Sequence, residues 1–536
     1  MTFSDVLKTI GYPEDIYSKF PQVLPFDLYE AQIQSLWQLL YHSPEYHNRF
    51  GLFSQTRTGK TIIMQLATIF FAHYGLKSML VMPDVLYTQF IETFLEIEGK
   101  LPTYKIYEGA IAQRKKIVEK WLSREETFPD IILLTRSLLT NMFTGSQEFE
   151  KPLYKQLLAE YKILMIDEAH LGLQDEGSAF YSACNNHINL YPGEGRRIIF
   201  STGTPIYTSP NGTYPIISLL NPTAYWSREQ YDNTHTIMKT ISIKPKTNSL
   251  RLIQTKARTR QVPDRFVRLD QLNGNLFKYA VRVLRSEVPG LTIPALQILP
   301  VKLSPEHLRL YKTTLESTIL SLPQEEIDID SLRKIMEIAH QLVVSPHLLA
   351  ENKSISNKVL DRLEVLVTSL EDKFIIYANY RNSIVTLYNW AVKLGLNPDI
   401  LYGDGRGEAG AAEKFKRDQT CRVIVVNPQA GGVGLTLGKV CSTIICVEPI
   451  TSPGLLEQAV SRTLLATKEA ATTVYVLNIL QTVWAKRVVM MKDRLEVVAK
   501  AYKEKEIGVK YFDLGESTIT KTTLMRDLCL DKFMHD

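Results

Sequence analysis

The sequence predicts an α/β protein of two lobes, each a parallel sheet covered by helices, with a helical and β-hairpin insertion between them. Three observations predict it. Residues 30 to 205 alternate short apolar runs with helical patterns. Residues 370 to 480 repeat the same rhythm, and residues 225 to 350 interrupt it with polar strand patterns and longer helical ones.

In the first lobe the runs are RFGLFSQ, SMLVMP, DIILLT, YKILMIDE and RRIIFSTG, with a helix through ATIFFAHYG after the first. Runs this short and this apolar, separated by helices, are the pattern of strands buried on both faces of a parallel sheet. In the insertion, TIMKTISIKPKTNSLRLIQTKARTRQV reads as strand, polar turn (Pro245 to Ser249) and strand. Lys256, Arg258 and Arg260 fall at period two in its second strand, which places all three on one face. LRLYKTTLESTIL and LRKIMEIAHQLV then show helical spacing. The second lobe carries KFIIYAN, CRVIVVN, STIICVE and TVYVLNI, and residues 481 to 536 are charged and mostly helical in pattern. The expected division is lobe one over 1–225, the insertion over 226–350, lobe two over 351–485 and a helical extension over 486–536.

Composition excludes several classes. At 536 residues, 45% hydrophobic and 22% charged, the chain is neither collagen-like nor mainly disordered. Its five cysteines are scattered without a CxxC pair, so neither a disulfide framework nor a zinc site is expected. The start, MTFSDVLKTIGYPEDIY, has no signal-peptide pattern, and the longest apolar run, Ile62 to Leu76, is broken by Gln65, Thr68 and His73. The expectation is an intracellular protein in a reducing compartment without membrane association: bacterial cytoplasm or nucleoid, or the nucleus of a eukaryote. Net charge is 62 − 57 = +5, but nine Lys or Arg against the single acid Asp264 lie between Lys239 and Arg268. That segment is either a solvated surface hairpin or an arm that grips phosphates.

The chemistry sits at strand ends. Ser54-Gln55-Thr56-Arg57-Thr58-Gly59-Lys60-Thr61 leaves one strand and opens a helix, the setting of a phosphate-binding loop. Its backbone N–H groups face phosphates, Lys60 adds a point charge, and the Thr61 hydroxyl suits Mg²⁺. Arg57 stands where glycine is usual in such loops. About a hundred residues later Ile163-Leu164-Met165-Ile166 ends in Asp167-Glu168-Ala169-His170. Two adjacent acids there assign Asp167 to the metal and Glu168 to the attacking water. ATP and Mg²⁺ are the expected cofactors.

Read together, these motifs resemble superfamily-two helicases and, within them, the Swi/Snf-related DNA-dependent ATPases, over roughly residues 25 to 485. The resemblance implies RecA-like lobes. It implies adenine reading by Gln32 in Leu28-Tyr29-Glu30-Ala31-Gln32, and contact with a nucleic-acid strand by Val81-Met82-Pro83, Tyr107-Glu108-Gly109 and Leu134-Thr135-Arg136-Ser137. Ser201-Thr202-Gly203-Thr204-Pro205 resembles the element coupling hydrolysis to lobe movement. VRVLRSEVPGL, PVKLSPEHLRLY, IMEIAHQLVVSPHLL and NKVLDRLEVL resemble the linker and helical lead-in to lobe two. In lobe two, Tyr402-Gly403 and Gln429 to Leu437 resemble strand-tracking and nucleotide-sensing elements, which implies DNA contacts for Gly403, Gly431 and Thr436 and nucleotide contact for Gly434. Gln458-Ala459-Val460-Ser461-Arg462 resembles the start of the last motif, with Gln458 on the nucleotide and Arg462 on its phosphates. The family's second arginine is Leu465 here. If a helix continues through this stretch, Arg462, Leu465 and Lys468 share a face, with Arg462 the stronger and Lys468 the weaker source of the missing cation.

The function this implies is an ATP-driven translocase on double-stranded DNA, gripping phosphates without sequence preference, that remodels branched DNA or displaces bound protein in repair or replication. The absence of chromatin-reading or nuclease domains favours a compact phage or prokaryotic motor over a chromatin remodeller. Two alternatives stand beside it: a strand-separating helicase, and a nucleotide-gated DNA clamp with little hydrolysis. Nothing in the residues names a protein partner.

Overall fold

The computed structural model describes residues 1–42, 48–189, 195–243, 258–320, 329–349, 355–402, 409–429, 437–465 and 471–503. The chain forms two compact units. The first takes Met1–His235 and Arg268–Leu291; the second takes Thr236–Val267 and the chain from Thr292 onward.

Among the described residues the first unit contains β1 (Arg49–Leu52), β2 (Lys77–Val81), β3 (Tyr104–Ile106), β4 (Ile131–Leu134), β5 (Tyr161–Ile166) and β6 (Arg197–Ser201). The antiparallel hairpin β7 (Thr236–Ile243) and β8 (Arg258–Phe266) belongs to the second unit, and the chain then returns to the first unit for β9 (Ala280–Val281). These first-unit strands make a sheet of order β3-β4-β2-β5-β6-β1-β9 in which every pairing is parallel. Its central strands are apolar and buried, Ile131 to Leu134 without a break, as expected when helices cover both faces. The helix Lys60–His73 explains the long apolar run of the sequence. It is buried along most of its length because the N-terminal segment packs over it, with Phe20 stacked on Phe70 at 5.5 Å and Tyr12 edge-on to the same ring. No helix among the described residues is long and apolar enough to cross a membrane.

The second unit adds β10 (Ala295–Val301), β11 (Lys373–Tyr377), β12 (Asp399–Leu401), β13 (Val423–Val426), β14 (Cys441–Cys446) and β15 (Thr473–Ile479). Among the described residues they form a second all-parallel sheet, β10-β15-β14-β11-β13-β12. Helices Pro305–Leu320, Ile329–Val344 and Lys358–Thr368 precede its centre, the last capped by Asn357, whose side chain accepts from Leu360 N–H. A helix Val483–Tyr502 follows β15 and crosses the 485/486 boundary expected from sequence.

The fold is thus two parallel-sheet α/β units, with a hairpin and helices between their central strands in chain order. Of the stretches that resemble the linker and helical lead-in, VRVLRSEVPGL closes the first unit, with Val281 in edge strand β9 and Arg285–Glu287 a single 3₁₀ turn. Parallel pairing with β1 satisfies its backbone in place of a helix. PVKLSPEHLRLY likewise begins as the end of β10 before the helix from Pro305 starts.

Candidate functional site

In the first unit the predicted motifs meet at the carboxyl ends of neighbouring strands, where open parallel sheets bind ligands. The phosphate loop follows β1, Ser201 to Pro205 close β6 and follow it, and Asp167 to His170 follow β5; these three strands are adjacent.

The loop turns into its helix through Gly59, which has φ +92° in the left-handed region. A Cβ there would lie 2.1 Å from Gln32 Nε2, so the conformation favours glycine and a side chain would displace the Gln32 amide. Arg57 is also left-handed, at φ +70°, which is the physical reason glycine is usual at that position. Lys60 Nζ donates to the carbonyls of Ser54 and Gln55, both at 3.0 Å. Thr58 Oγ1 donates to Gln55 O at 2.8 Å. Thr61 occupies the first turn, half-buried. Gln32 is buried, its amide donating to Thr58 O at 3.0 Å and accepting from Tyr29 N–H at 3.0 Å. Its amide therefore braces the phosphate loop, a contact the sequence does not foretell for a residue assigned to the base.

Asp167 accepts from Ser201 Oγ at 2.7 Å. Burial, then the neighbouring Glu168 carboxylate, push its carboxyl up to about 6. Glu168 is left-handed at φ +48°, with Oε2 3.4 Å from His170 Nδ1. His170 is buried, stacked on Tyr207 at 4.6 Å, and shares a hydrogen bond with Thr202 Oγ1 at 2.7 Å. Burial, reinforced by the charge of Lys60, holds its imidazole down at about 3, so it is neutral at ordinary pH. His170 thus joins Glu168 to the segment after β6, a role the sequence leaves unassigned. Gly203 closes the arrangement. A Cβ on it would stand 2.9 Å from Thr56 Cγ2 and 3.5 Å from Lys60 Nζ, so the absence of a side chain keeps the loop and the lysine clear.

A cavity of about 320 Å³ opens beside the acids, lined by Asp167, Glu168, Pro83, Thr135, Ser137 and Arg136 among others. It brings six residues of the segments expected on a nucleic-acid strand, Val81, Met82, Pro83, Thr135, Arg136 and Ser137, to the two acids. Thr135 caps the helix Arg136–Thr144 by accepting from Leu138 N–H at 3.3 Å, and its hydroxyl lies 3.0 Å from that of Ser137. Arg136 donates to Leu171 O, which ties that helix to the turn after the acids. Gly109 is left-handed at φ +98° ahead of the helix Ile111–Leu122 and does not line this cavity.

Two cations within VRVLRSEVPGL reach the loop, a role the sequence reading does not assign to them. Arg285 Nε donates to Thr56 O at 3.3 Å and its Nη2 to Thr56 Oγ1, while Arg282 Nη1 donates to Phe53 O at 2.7 Å.

In the second unit the helix Pro453–Ser461 starts at the cap Ser452 and holds Gln458, buried. It ends at Ser461 with Arg462 as its C-cap, because Leu437 N–H takes up the Arg462 carbonyl at 2.8 Å. Arg462 and Leu465 therefore do not share a helical face. Leu465 packs instead beside Gly438, where an added Cβ would sit 3.0 Å from the Leu465 Cβ. At the strand ends, buried Glu448 accepts from Asn379 N–H, and burial pushes its carboxyl up to about 7. Arg258 and Arg260 lie two apart on β8. Lys256, Gly403, Gly431, Gly434, Thr436 and Lys468 lie outside the described residues.

The donor set fits the expected groups. A left-handed glycine before a helix N-terminus, a lysine at that terminus and a side-chain-free Gly203 beside both form a phosphate cradle. Thr61 and Asp167 offer the oxygen ligands that Mg²⁺ prefers.

No curated protein matches the chain. Among solved structures, the Sulfolobus solfataricus SWI2/SNF2 ATPase core in complex with dsDNA is similar at 17% identity, over 89% of this chain and 95% of that one, with a TM-score of 0.36. The family model described as SNF2-related domain matches residues 32–345, more than half of the chain. With its two parallel-sheet units and its phosphate-loop and DEAH segments at adjacent strand ends, the chain belongs to the SNF2-related family, the Swi/Snf-related DNA-dependent ATPases of the helicase superfamily two.

Proposed function

We propose that the protein is an ATP-driven translocase on double-stranded DNA that remodels branched DNA or displaces bound protein. The observation that carries this reading is the convergence of Lys60, Asp167, Glu168 and the Ser201–Thr204 segment at three adjacent strand ends, beside a cavity that also exposes Pro83, Thr135 and Ser137.

In this reading Lys60 leaves the Ser54 and Gln55 carbonyls for the nucleotide phosphates, and the loop N–H groups receive the phosphate oxygens. Glu168 orients the attacking water and takes its proton at the carboxylate. Thr61 and Asp167 would hold Mg²⁺, which supplies charge neutralisation at the phosphates. Neutral His170, bonded to Thr202, links Glu168 to the segment after β6, a contiguous route by which hydrolysis reaches the rest of the lobe. Arg462 supplies the cation from the second unit, and Gln32 and Gln458 complete nucleotide recognition. Pro83, Gly109, Thr135, Ser137, Gly403, Gly431 and Thr436 track the DNA strand, and the β7–β8 hairpin grips the backbone through Lys256, Arg258 and Arg260, without sequence preference. Repair or replication is the setting that fits such a substrate.

Phosphate release from the purified full chain, with and without duplex, forked and single-stranded DNA, tests the proposal, together with displacement of a triplex-forming strand from duplex DNA. Hydrolysis stimulated by duplex and fork, with triplex displacement and without strand separation, is the expected result. Stimulation by single strands alone would favour the helicase reading, and no stimulated hydrolysis would favour the clamp.

A further inference from the structure

We infer that Arg285 is a positioning residue of the nucleotide site, which with Arg282 straps the phosphate loop into its binding conformation; the inference rests on the nucleotide-site reading above. After the hairpin the chain comes back to the first unit and runs along β1. Gly51, Phe53 and Gln55 N–H donate to the carbonyls of Tyr279, Val281 and Val283, each at 2.9 Å. The ladder thus continues past the end of β1 into the phosphate loop. Val283 N–H donates to Ser54 Oγ at 3.1 Å and Arg285 N–H to Gln55 Oε1 at 2.7 Å.

The cations complete the strap. Four successive carbonyls of the loop accept from charged side chains: Phe53 from Arg282, Ser54 and Gln55 from Lys60, and Thr56 from Arg285. Carbonyl oxygens and phosphate oxygens are both negative, so a loop that binds phosphate must turn its carbonyls away and satisfy them elsewhere. In a trans peptide the C=O and the following N–H point in opposite directions. Holding Thr56 O against Arg285 therefore aims the Arg57 N–H to the other side of the loop. Lys60 gives up its two carbonyls when it turns to a nucleotide; the guanidinium groups stay. Arg285 is suited to this because it is buried and spans the Thr56 carbonyl and hydroxyl with one planar fork.

Steady-state hydrolysis by the full chain on saturating duplex DNA, with equilibrium binding of a fluorescent ATP analogue, tests the inference. Because the strap acts on the loop before and during reaction alike, Arg285→Ala should raise both KM for ATP and the analogue Kd by about tenfold or more, with kcat within about threefold of wild type. Arg285→Lys keeps the charge but loses the fork, and should recover only part of the affinity. Thr56→Val removes one of the two bonds and should show a smaller rise. If Arg285→Ala does not fold, as judged by thermal melting, the lysine and valine variants decide the same point. Lys60→Ala serves as the reference. If it binds the analogue like wild type, the nucleotide-site reading fails and the inference with it. If it loses binding while Arg285→Ala and Arg285→Lys keep the wild-type KM, the strap alone is overturned. A fall in kcat at unchanged KM would overturn it as well.

Discussion

Replacing Glu168 by glutamine should separate binding from chemistry, and the geometry fixes how cleanly. Glutamine keeps the size of the side chain and inherits the same left-handed backbone at φ +48°, so no new strain is introduced. The 3.4 Å contact with His170 is not a charged pair at neutral pH, because burial and Lys60 hold that imidazole near 3. Removing the carboxylate therefore leaves no buried charge behind, and stability should change by less than about 1 kcal/mol. What disappears on the proposed reading is the general base, worth about 10² to 10⁴ in rate, or roughly 3 to 5 kcal/mol of barrier. Lys60→Ala acts differently, since it removes the charge for the phosphates and both hydrogen bonds that tie down the Ser54 and Gln55 carbonyls. Single-turnover ATP hydrolysis on saturating duplex DNA, beside equilibrium binding of an ATP analogue, reads both quantities. Glu168→Gln should bind within about threefold of wild type and turn over at least a hundredfold more slowly, whereas Lys60→Ala should lose binding. Wild-type turnover in Glu168→Gln, or a binding defect as steep as that of Lys60→Ala, would refute the division of roles.

Four further outcomes are expected. Glu448 binds its proton more tightly folded, near 7, than unfolded, near 4.5, so it costs stability progressively as pH rises between those values, by about 3 kcal/mol above both; denaturant melts at pH 5 and 8.5 should show that Glu448→Gln is the less pH-sensitive protein, and an identical pH dependence in the two would remove Glu448 as the cause. Gly59→Ala combines an unfavourable left-handed backbone with disruption of the Gln32 to Thr58 bond, so urea unfolding should show a destabilisation of about 2 to 3 kcal/mol; an unshifted midpoint would mean the loop is free to rearrange. Replacing Lys256, Arg258 and Arg260 together by alanine should weaken binding to all duplex sequences alike and flatten the plot of log affinity against log salt by up to ~0.9 for each phosphate that is no longer neutralised; a wild-type slope would make the segment a solvated face. Arg462→Ala should slow single-turnover hydrolysis by about 10³ or more with ATP affinity held within several-fold; a variant as fast as wild type would send the search for the cation to Arg57.

The strand ends are legible because burial on both faces turns a strand into an unbroken apolar run, and the polar residues just past each run are then the ones the sheet presents together. Ile163 to Ile166 followed by Asp167 and Glu168 shows both halves of that signal. Edge strands of two or three residues carry no such run: Ala280–Val281 and Tyr104–Ile106 are strands only because a neighbour offers its backbone. The helix stop at Ser461 is of the same kind. Its sequence continues with helix-compatible residues, and the stop is imposed by Leu437, whose N–H takes the Arg462 carbonyl from outside the helix.

Arg285 illustrates the deeper limit. Its partner Thr56 lies 229 residues earlier, and what it binds there is a carbonyl and a hydroxyl, groups that most residues or many could supply. No local pattern encodes such a pairing. One of the two departures from the family pattern, Arg57, lies in the same loop. Arg57 keeps a left-handed backbone at a cost of about 1 to 2 kcal/mol that glycine would avoid, and Leu465 fills the space beside Gly438. Strain of that kind persists where surrounding bonds over-determine the conformation, and here Arg285 fixes the peptide immediately before Arg57. On the proposed reading, the chain lacks the usual second arginine at Leu465 and holds a left-handed arginine, Arg57, in its phosphate loop. Arg462 and Arg57 therefore have to be compared directly, in the same single-turnover assay, before the catalytic cation is assigned to either unit.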